Sequence, residues 1–343
     1  MSKTNLMGYT REGFERLFEQ LGEKPFRGRQ LYKWVYNNRQ SDFNQMTNFT
    51  REIRARLDSG YAVRGLQLDE RQVSADGTEK FLFRLDDGHP LESVLIPDSP
   101  RRTVCISSQA GCALACTFCA TGTLGLLRNL TVGEIVGQLL FLRNLYGSDC
   151  FTNVVFMGMG EPLNNYDNLI EALRIMTDTL GLGVGHKKIT VSTSGVTPKI
   201  RKLAESGLRV RLALSLHAAI QKKREEIMPV ARTFALPKLM EAVRYYAETT
   251  GSRVTFEYIL MDGFNDTKED ILALTKLVQG IPCKINVLAY NPVPGLNHRR
   301  PSDEKVDWFA RELYPRTPAV TVRTSRGQDI DAACGQLAAR RIR

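Results

Sequence analysis

The chain has 343 residues, 43% hydrophobic and 24% charged, with 47 Lys and Arg against 37 Asp and Glu, a formal net charge of +10. This length suits roughly two domains, and the composition excludes a disordered tail, a collagen-like repeat and a small disulfide scaffold. No apolar run reaches the ~18 residues of a transmembrane helix, and the polar stretch Met1 to Thr10 lacks the apolar region of a secretory signal, so a cytoplasmic location with reduced thiols is expected. The positive excess suits a polyanionic partner such as nucleic acid, or solubility alone.

Residues 11 to 57 predict three short basic helices. Phe14, Leu17, Phe18 and Leu21 have helical spacing, closed by Gly22 and Pro25. Leu31, Trp34 and Val35 mark a second apolar face beside Arg27, Arg29 and Lys33; Met46, Phe49, Ile53 and Leu57 mark a third. Residues 61–97 predict β structure, with Asp76-Gly77 and Asp86-Asp87-Gly88 as hairpin turns. From Arg101 onward strands and helices alternate. The strands are Val104 to Ser107, Val154 to Met157, Ile189 to Ser192, Val210 to Leu216, Val254 to Leu260 and Ile285 to Tyr290, with a late one at Val320 to Thr324. Thr131 to Tyr146 is a strong helix with a Thr131/Glu134 capping box, and Leu169 to Leu180 is another. Repeated βα units imply a parallel sheet with right-handed crossovers, either an open doubly wound sheet or a barrel. No G-x-G-x-x-G opens the first helix, which counts against a dinucleotide-binding sheet.

Seven cysteines, an odd number, do not suit a disulfide framework. Three lie in Cys112-Ala-Leu-Ala-Cys116-Thr-Phe-Cys119, a C-x3-C-x2-C run. Thiolates are the usual ligands of iron–sulfur clusters. Three on one loop leave one iron of a cubane open to a small molecule. Structural zinc needs a fourth ligand, and His89, His186, His217 and His298 are scattered singly. Cys150 and Cys283 carry no pattern and suit small core positions.

Other polar groups follow the strands, where a parallel α/β fold places its site. They are Gly158-Met159-Gly160-Glu161-Pro162, Ser192-Thr193-Ser194-Gly195, Ser215-Leu216-His217 and Tyr290-Asn291-Pro292. Each alone is an ordinary turn or strand end. Their shared placement around the cysteine loop points to one ligand with carbonyl, amine and ribose groups.

These motifs resemble radical S-adenosylmethionine (SAM) enzymes. Cys105-Ile106-Ser107-Ser108-Gln109, Arg128-Asn129-Leu130-Thr131, Ser215-Leu216-His217 and Asp331-Ala332-Ala333-Cys334-Gly335-Gln336-Leu337 are similar to the RlmN/Cfr family of RNA methyltransferases, and so is Pro25 to Leu31. The resemblance implies an α/β fold: a partial (β/α)6 radical SAM barrel over 98–343, a small N-terminal helical domain over 1–60, and a short β linker over 61–97. It implies one 4Fe–4S cluster on Cys112, Cys116 and Cys119. It implies SAM contacts from Gly160, Glu161, Ser192, Ser215, Leu216, His217 and Asn291.

The resemblance also implies an indirect transfer. Cys334 is methylated by one SAM, and a radical from a second SAM takes hydrogen from that S-methyl group. The carbon radical then adds to adenine, Glu92 accepts the ring proton, and Cys105 resolves the covalent link, leaving a Cys105–Cys334 disulfide. The implied substrates are an adenine in the peptidyl-transferase region of 23S rRNA and the adenine 3′ of the tRNA anticodon. A flavodoxin-type electron donor, a thiol reductant and a monomer complete the expectation.

Carbon 2 of adenine is the expected target, although Ala120 to Arg128 resembles the carbon-8 branch as well. Arg101-Arg102, Lys222-Lys223-Arg224, His298-Arg299-Arg300 and Arg340-Arg341 are candidate phosphate contacts. No aromatic stacking face is evident, so RNA is expected to be read by shape and a flipped-out base. The alternative from another class is an RNA-binding protein with a structural metal.

Overall fold

The computed structural model describes residues 3–338. The N-terminal module opens with strand β1 (Thr4–Asn5) and holds helices α1 (Arg11–Gln20), α2 (Pro25–Tyr36) and α3 (Arg51–Gly60) before β2 (Tyr61–Ala62), which pairs in parallel with β1. Thr10 and Thr50 start α1 and α3 by accepting from the Gly13 and Ile53 N–H groups. Phe14, Phe18, Leu31, Val35 and Leu57 are buried as the helical spacing predicts. The third helix is shorter than expected. Met46 and Phe49 are buried, but they lie before the Thr50 cap, beside a 3-10 turn at Phe43–Gln45.

An antiparallel meander follows: β3 (Gln67–Val73), β4 (Glu79–Arg84), β5 (Pro90–Asp98) and β6 (Arg101–Cys105). Asp76-Gly77 and Asp87-Gly88 form its first two turns, with both glycines at positive φ. Then come β7 (Gln109–Gly111), α4 (Ala120–Thr123), β8 (Leu126–Asn129), α5 (Val132–Tyr146), β9 (Asn153–Phe156), α6 (Tyr166–Thr177), β10 (Ile189–Thr193) and α7 (Thr197–Glu205). The chain continues through β11 (Arg211–Ser215), α8 (Gln221–Ile227), α9 (Val230–Thr233), α10 (Leu236–Thr250), β12 (Val254–Leu260), α11 (Lys268–Val278), β13 (Cys283–Ala289), α12 (Asp303–Leu313) and β14 (Val320–Arg323).

Ten strands form one sheet in the order β14-β13-β12-β11-β10-β9-β6-β5-β4-β3. Neighbours from β6 through β9 to β14 are parallel. This is the expected α/β partial barrel, extended by a seventh parallel strand, β14. The strands expected as a linker continue the same sheet through β5 and β6. β7 and β8 form a separate ribbon.

Strand residues Val104, Val154, Val191, Leu212, Phe256 and Ile285 pack with Ile135, Val136 and Leu139 of α5 in one core. Each such side chain contributes roughly 1.5–3 kcal/mol of burial. Cys150 and Cys283 are buried in it, as read from the sequence. Thr131 and Glu134 cap α5 reciprocally. Among the described residues no helix is long and apolar enough to cross a membrane.

Candidate active site

The turn after β9 is built by close backbone approach. A Cβ at Gly158 would lie 2.6 Å from the Ser107 hydroxyl. Gly160 has φ +98, and a Cβ there would lie 2.5 Å from Gln109. Only glycine meets both demands. The Met159 N–H donates to Ser107 Oγ at 2.8 Å, and Ser107 Oγ donates to the Glu92 carbonyl at 2.6 Å. Gln138, buried on α5, accepts from the Ser107 N–H and donates to the Ser107 carbonyl.

Glu161 is buried and ties two strand ends together. Its carboxylate accepts from the Leu163 N–H at 3.1 Å and the Ser194 N–H at 2.7 Å. Burial pushes its pKa up, against the pull of those donors. Ser192 and Ser215, on β10 and β11, bring their hydroxyls to 3.5 Å.

His217 sits at φ +57 and is buried. Its Nδ1 accepts from the Ile259 N–H at 3.1 Å, so the neutral ring carries its proton on Nε2. Burial, then the nearby Arg224 charge, pushes its pKa down to about 3. Asn265 holds the bend by donating to the His217 and Ile259 carbonyls. Leu216 is in the core; its backbone carbonyl accepts from Arg224 Nε.

The cysteine loop runs between the β7–β8 ribbon and α4. The Thr117 N–H donates to the Ile227 carbonyl, fastening the loop to the end of α8. Cys112, Cys116 and Cys119 are free thiols. Burial pushes Cys112 up to about 11 and Cys116 higher still, with the neighbouring thiols adding to it. Three free thiols on one loop are chemically suited to ligate an iron–sulfur cluster, although among the described residues no three His, Cys, Asp or Glu are gathered closely enough to share a single metal ion.

Cys334 lies on the segment that returns after β14. The Ala120 N–H donates to the Gly335 carbonyl at 2.7 Å, and Thr121 Oγ1 donates to the Leu337 carbonyl at 2.7 Å. Asn291 donates to the Cys334 carbonyl at 3.1 Å. Cys105, the last residue of β6, packs against Ala332 and Leu337 of this segment. Burial pushes Cys105 up to about 12, with Cys334 adding to it. Burial also raises Cys334, opposed by the Arg323 guanidinium.

Two cavities flank the returning segment. One, of about 130 Å³, is lined by Cys119, Gly160, Glu161, Ser192, Ser215, His217 and Cys334 among others. The second, of about 240 Å³, is lined by Lys80, Glu92, Thr123, Asp331 and Gln336 among others. The structure thus brings most of the expected SAM residues to one cavity and Glu92 to the other. Glu92 is buried, with Lys80 Nζ at 3.5 Å. Cys105, Cys112, Cys116, Leu216 and Asn291 line neither cavity.

One expectation from the sequence is corrected. Arg224 is fully buried and Lys223 is paired with Asp270 at 2.8 Å, so neither is a phosphate contact. Arg340 and Arg341 lie outside the described residues. Sequence reasoning also missed Lys80, Gln138, Asn265 and the Arg323–Glu257 pair at 3.5 Å. No motif spacing marks them; a Lys and a Gln inside apolar runs were the available signal.

Comparison with known proteins agrees with this architecture. Residues 4–63 match the ribosomal RNA large subunit methyltransferase N-terminal domain, and residues 106–275 match the radical SAM superfamily. The dual-specificity RNA methyltransferase RlmN of Rhodospirillum rubrum is 45% identical over 97% of this chain and 80% of its own length. Its counterpart from Anaeromyxobacter sp. is 46% identical over 95% of this chain and 88% of its own. A crystal structure of a radical SAM methyltransferase from Sphaerobacter thermophilus superposes with a TM-score of 0.92 at 40% identity, covering 98% of this chain and all of that one. With identity of this degree across both modules and the same fold, the chain belongs to the RlmN family of radical SAM RNA methyltransferases.

Proposed function

We propose that this enzyme methylates carbon 2 of adenine in two RNAs, the peptidyl-transferase region of 23S rRNA and the position 3′ of the tRNA anticodon, with Cys334 as the methyl carrier. The observation that carries this reading is the placement of Cys334. It lines the cavity of Cys119, Glu161 and His217, on a segment whose other residues line the cavity of Glu92.

Cys112, Cys116 and Cys119 would hold one 4Fe–4S cluster. Gly160, Glu161, Ser192, Ser215, Leu216, His217 and Asn291 would hold SAM. When bound, these groups supply a methyl group and a carbon-centred radical. The Cys334 sulfur accepts the methyl group, and the adjacent Arg323 charge favours its thiolate. Glu92 takes the proton when the adenine ring regains aromaticity, its carboxylate steadied by Lys80. Cys105 attacks the Cys334 sulfur: the S–S bond forms as the bond from that sulfur to the base-linked CH2 breaks, and the carbon keeps the electron pair and takes a proton to become the methyl group. An external thiol reduces that disulfide, and a flavodoxin-type donor supplies electrons. Two SAM molecules are consumed per turnover by a cytoplasmic monomer.

The test is mass spectrometry of nucleosides from rRNA and tRNA incubated with reduced enzyme and methyl-labelled SAM. Labelled 2-methyladenosine from both RNAs is expected. 8-Methyladenosine would overturn the regiochemistry. Unlabelled RNA, or a colourless zinc protein on anaerobic purification, would overturn the enzyme reading.

A further inference from the structure

Arg224 is 0% exposed, among the largest fully buried side chains of the molecule. Its Nε donates to the Leu216 carbonyl at 3.1 Å, and its Nη2 to the Ser194 and Ser215 carbonyls at 2.6 and 3.3 Å. All three acceptors are neutral backbone groups at the ends of β10 and β11. Nη1 has no hydrogen-bond partner. Among the described residues no carboxylate forms an ion pair with this guanidinium. Burial holds its pKa down to about 10, and among the described residues the group that would oppose its charge is Cys116 as a thiolate. An interior cation needs a compensating anion.

The surroundings say which anion. α8, which carries Arg224, receives the Thr117 N–H at its last residue, and Cys116 packs against Ile227 and Met228. The helix therefore holds the cysteine loop and the cation as one unit. Three thiolates on a cubane leave a net negative group there, more negative by one charge after reduction. Potentials of such clusters follow net charge, hydrogen bonds to sulfur and exposure.

We propose that Arg224 is the buried counter-charge of the cluster at Cys116, a positioning residue that raises the cluster's reduction potential by stabilising the reduced form. The inference rests on the cluster assignment proposed above. It differs from a purely structural role, in which the guanidinium only clamps three carbonyls.

The experiment uses anaerobically purified holoenzyme, with Arg224→Gln and Arg224→Lys beside the parent. Iron and sulfide content are measured, and the reduced cluster is followed by electron paramagnetic resonance during a potentiometric titration. Arg224→Gln is expected to keep parental iron, while its reduced-to-oxidised ratio at a fixed potential falls at least tenfold, about 59 mV for a one-electron couple. Arg224→Lys, which keeps the charge and loses the planar fork, is expected to stay within roughly threefold of the parent. A parental titration for Arg224→Gln, or an equal fall in both variants, overturns the proposal in favour of the carbonyl clamp. If Arg224→Gln fails to fold or to hold iron, Arg224→Lys decides: a tenfold fall overturns it and a ratio within threefold supports it. A parent without iron instead overturns the cluster assignment, so the two failures are distinct.

Discussion

Cys105 packs with the returning segment that carries Cys334, and separate substitutions test the separate roles proposed for the two thiols. Cys334→Ala is expected to keep reductive SAM cleavage and to lose methyl transfer by more than roughly 100-fold, a loss of about 3 kcal/mol or more in transition-state stabilisation. Product analysis of both reactions checks this. Cys105→Ala is expected to accumulate a covalent RNA–protein adduct, visible as a shifted band on a denaturing gel; free turnover would remove Cys105 from the reaction. Gly160→Ala combines φ +98 with a Cβ 2.5 Å from Gln109. A destabilisation of roughly 2–4 kcal/mol is expected, read from the urea midpoint. The cysteine triad and the Gly160 turn were readable from residue type and spacing, whereas the roles of Cys334 and Cys105 came through family likeness. Arg224 was not readable, since a basic run reads as surface until burial is known. Glu92 was singled out through family likeness alone; its pairing with Lys80 depends on the register of β4 against β5.

At the scale of elements, the β3–β4 turn and the segment after β14 clasp each other. Asp329 accepts from Ser74 Oγ at 2.6 Å and the Ala75 N–H at 3.1 Å, and Asp76 accepts from the Gly327 N–H at 2.9 Å. Burial would raise Asp76, but these donors and Thr78 outweigh it and hold its pKa to about 2. The contribution of Asp76 is therefore present above the ordinary aspartate value of about 3.9 and lost as pH falls through about 2. Its exposure to solvent screens the effect and keeps it small. Asp76→Asn is expected to speed amide exchange across 327–338 at neutral pH while leaving the helical module unchanged, as hydrogen-exchange mass spectrometry would show. Unaltered exchange there would mean that the clasp does not hold the segment. Both hairpin turns and the alternation of strands and helices were legible, because Asp-Gly pairs and apolar periodicity are local signals. The continuation of β5 into the main sheet was not, because strand pairing depends on partners remote in sequence.

For the whole molecule, the net charge of +10 is less available than the sequence suggests. Arg101, Arg299 and Arg300 pair with Asp98, Asp262 and Asp303 at 3.0, 3.3 and 3.2 Å. Exposed pairs of this kind are weak, and phosphates can displace their carboxylates. RNA affinity is expected to fall by roughly tenfold or more between about 50 and 200 mM salt, measured by filter binding. Salt-independent binding would assign recognition to non-ionic contacts.

The seating of the returning segment has a consequence for how the enzyme is born. Its anchors join residues 251 to 255 positions apart at the hairpin turn and 216 apart at α4. Contacts of such long range close last, after the sheet they rest on exists. The cysteine loop at residues 112–119 and the strand ends up to His217 are synthesised at least 117 residues before Cys334. On the roles proposed for these residues, a chain made only that far has the cluster ligands and no methyl acceptor. On that proposal, docking of the Cys334 segment separates an inert precursor from a working catalyst.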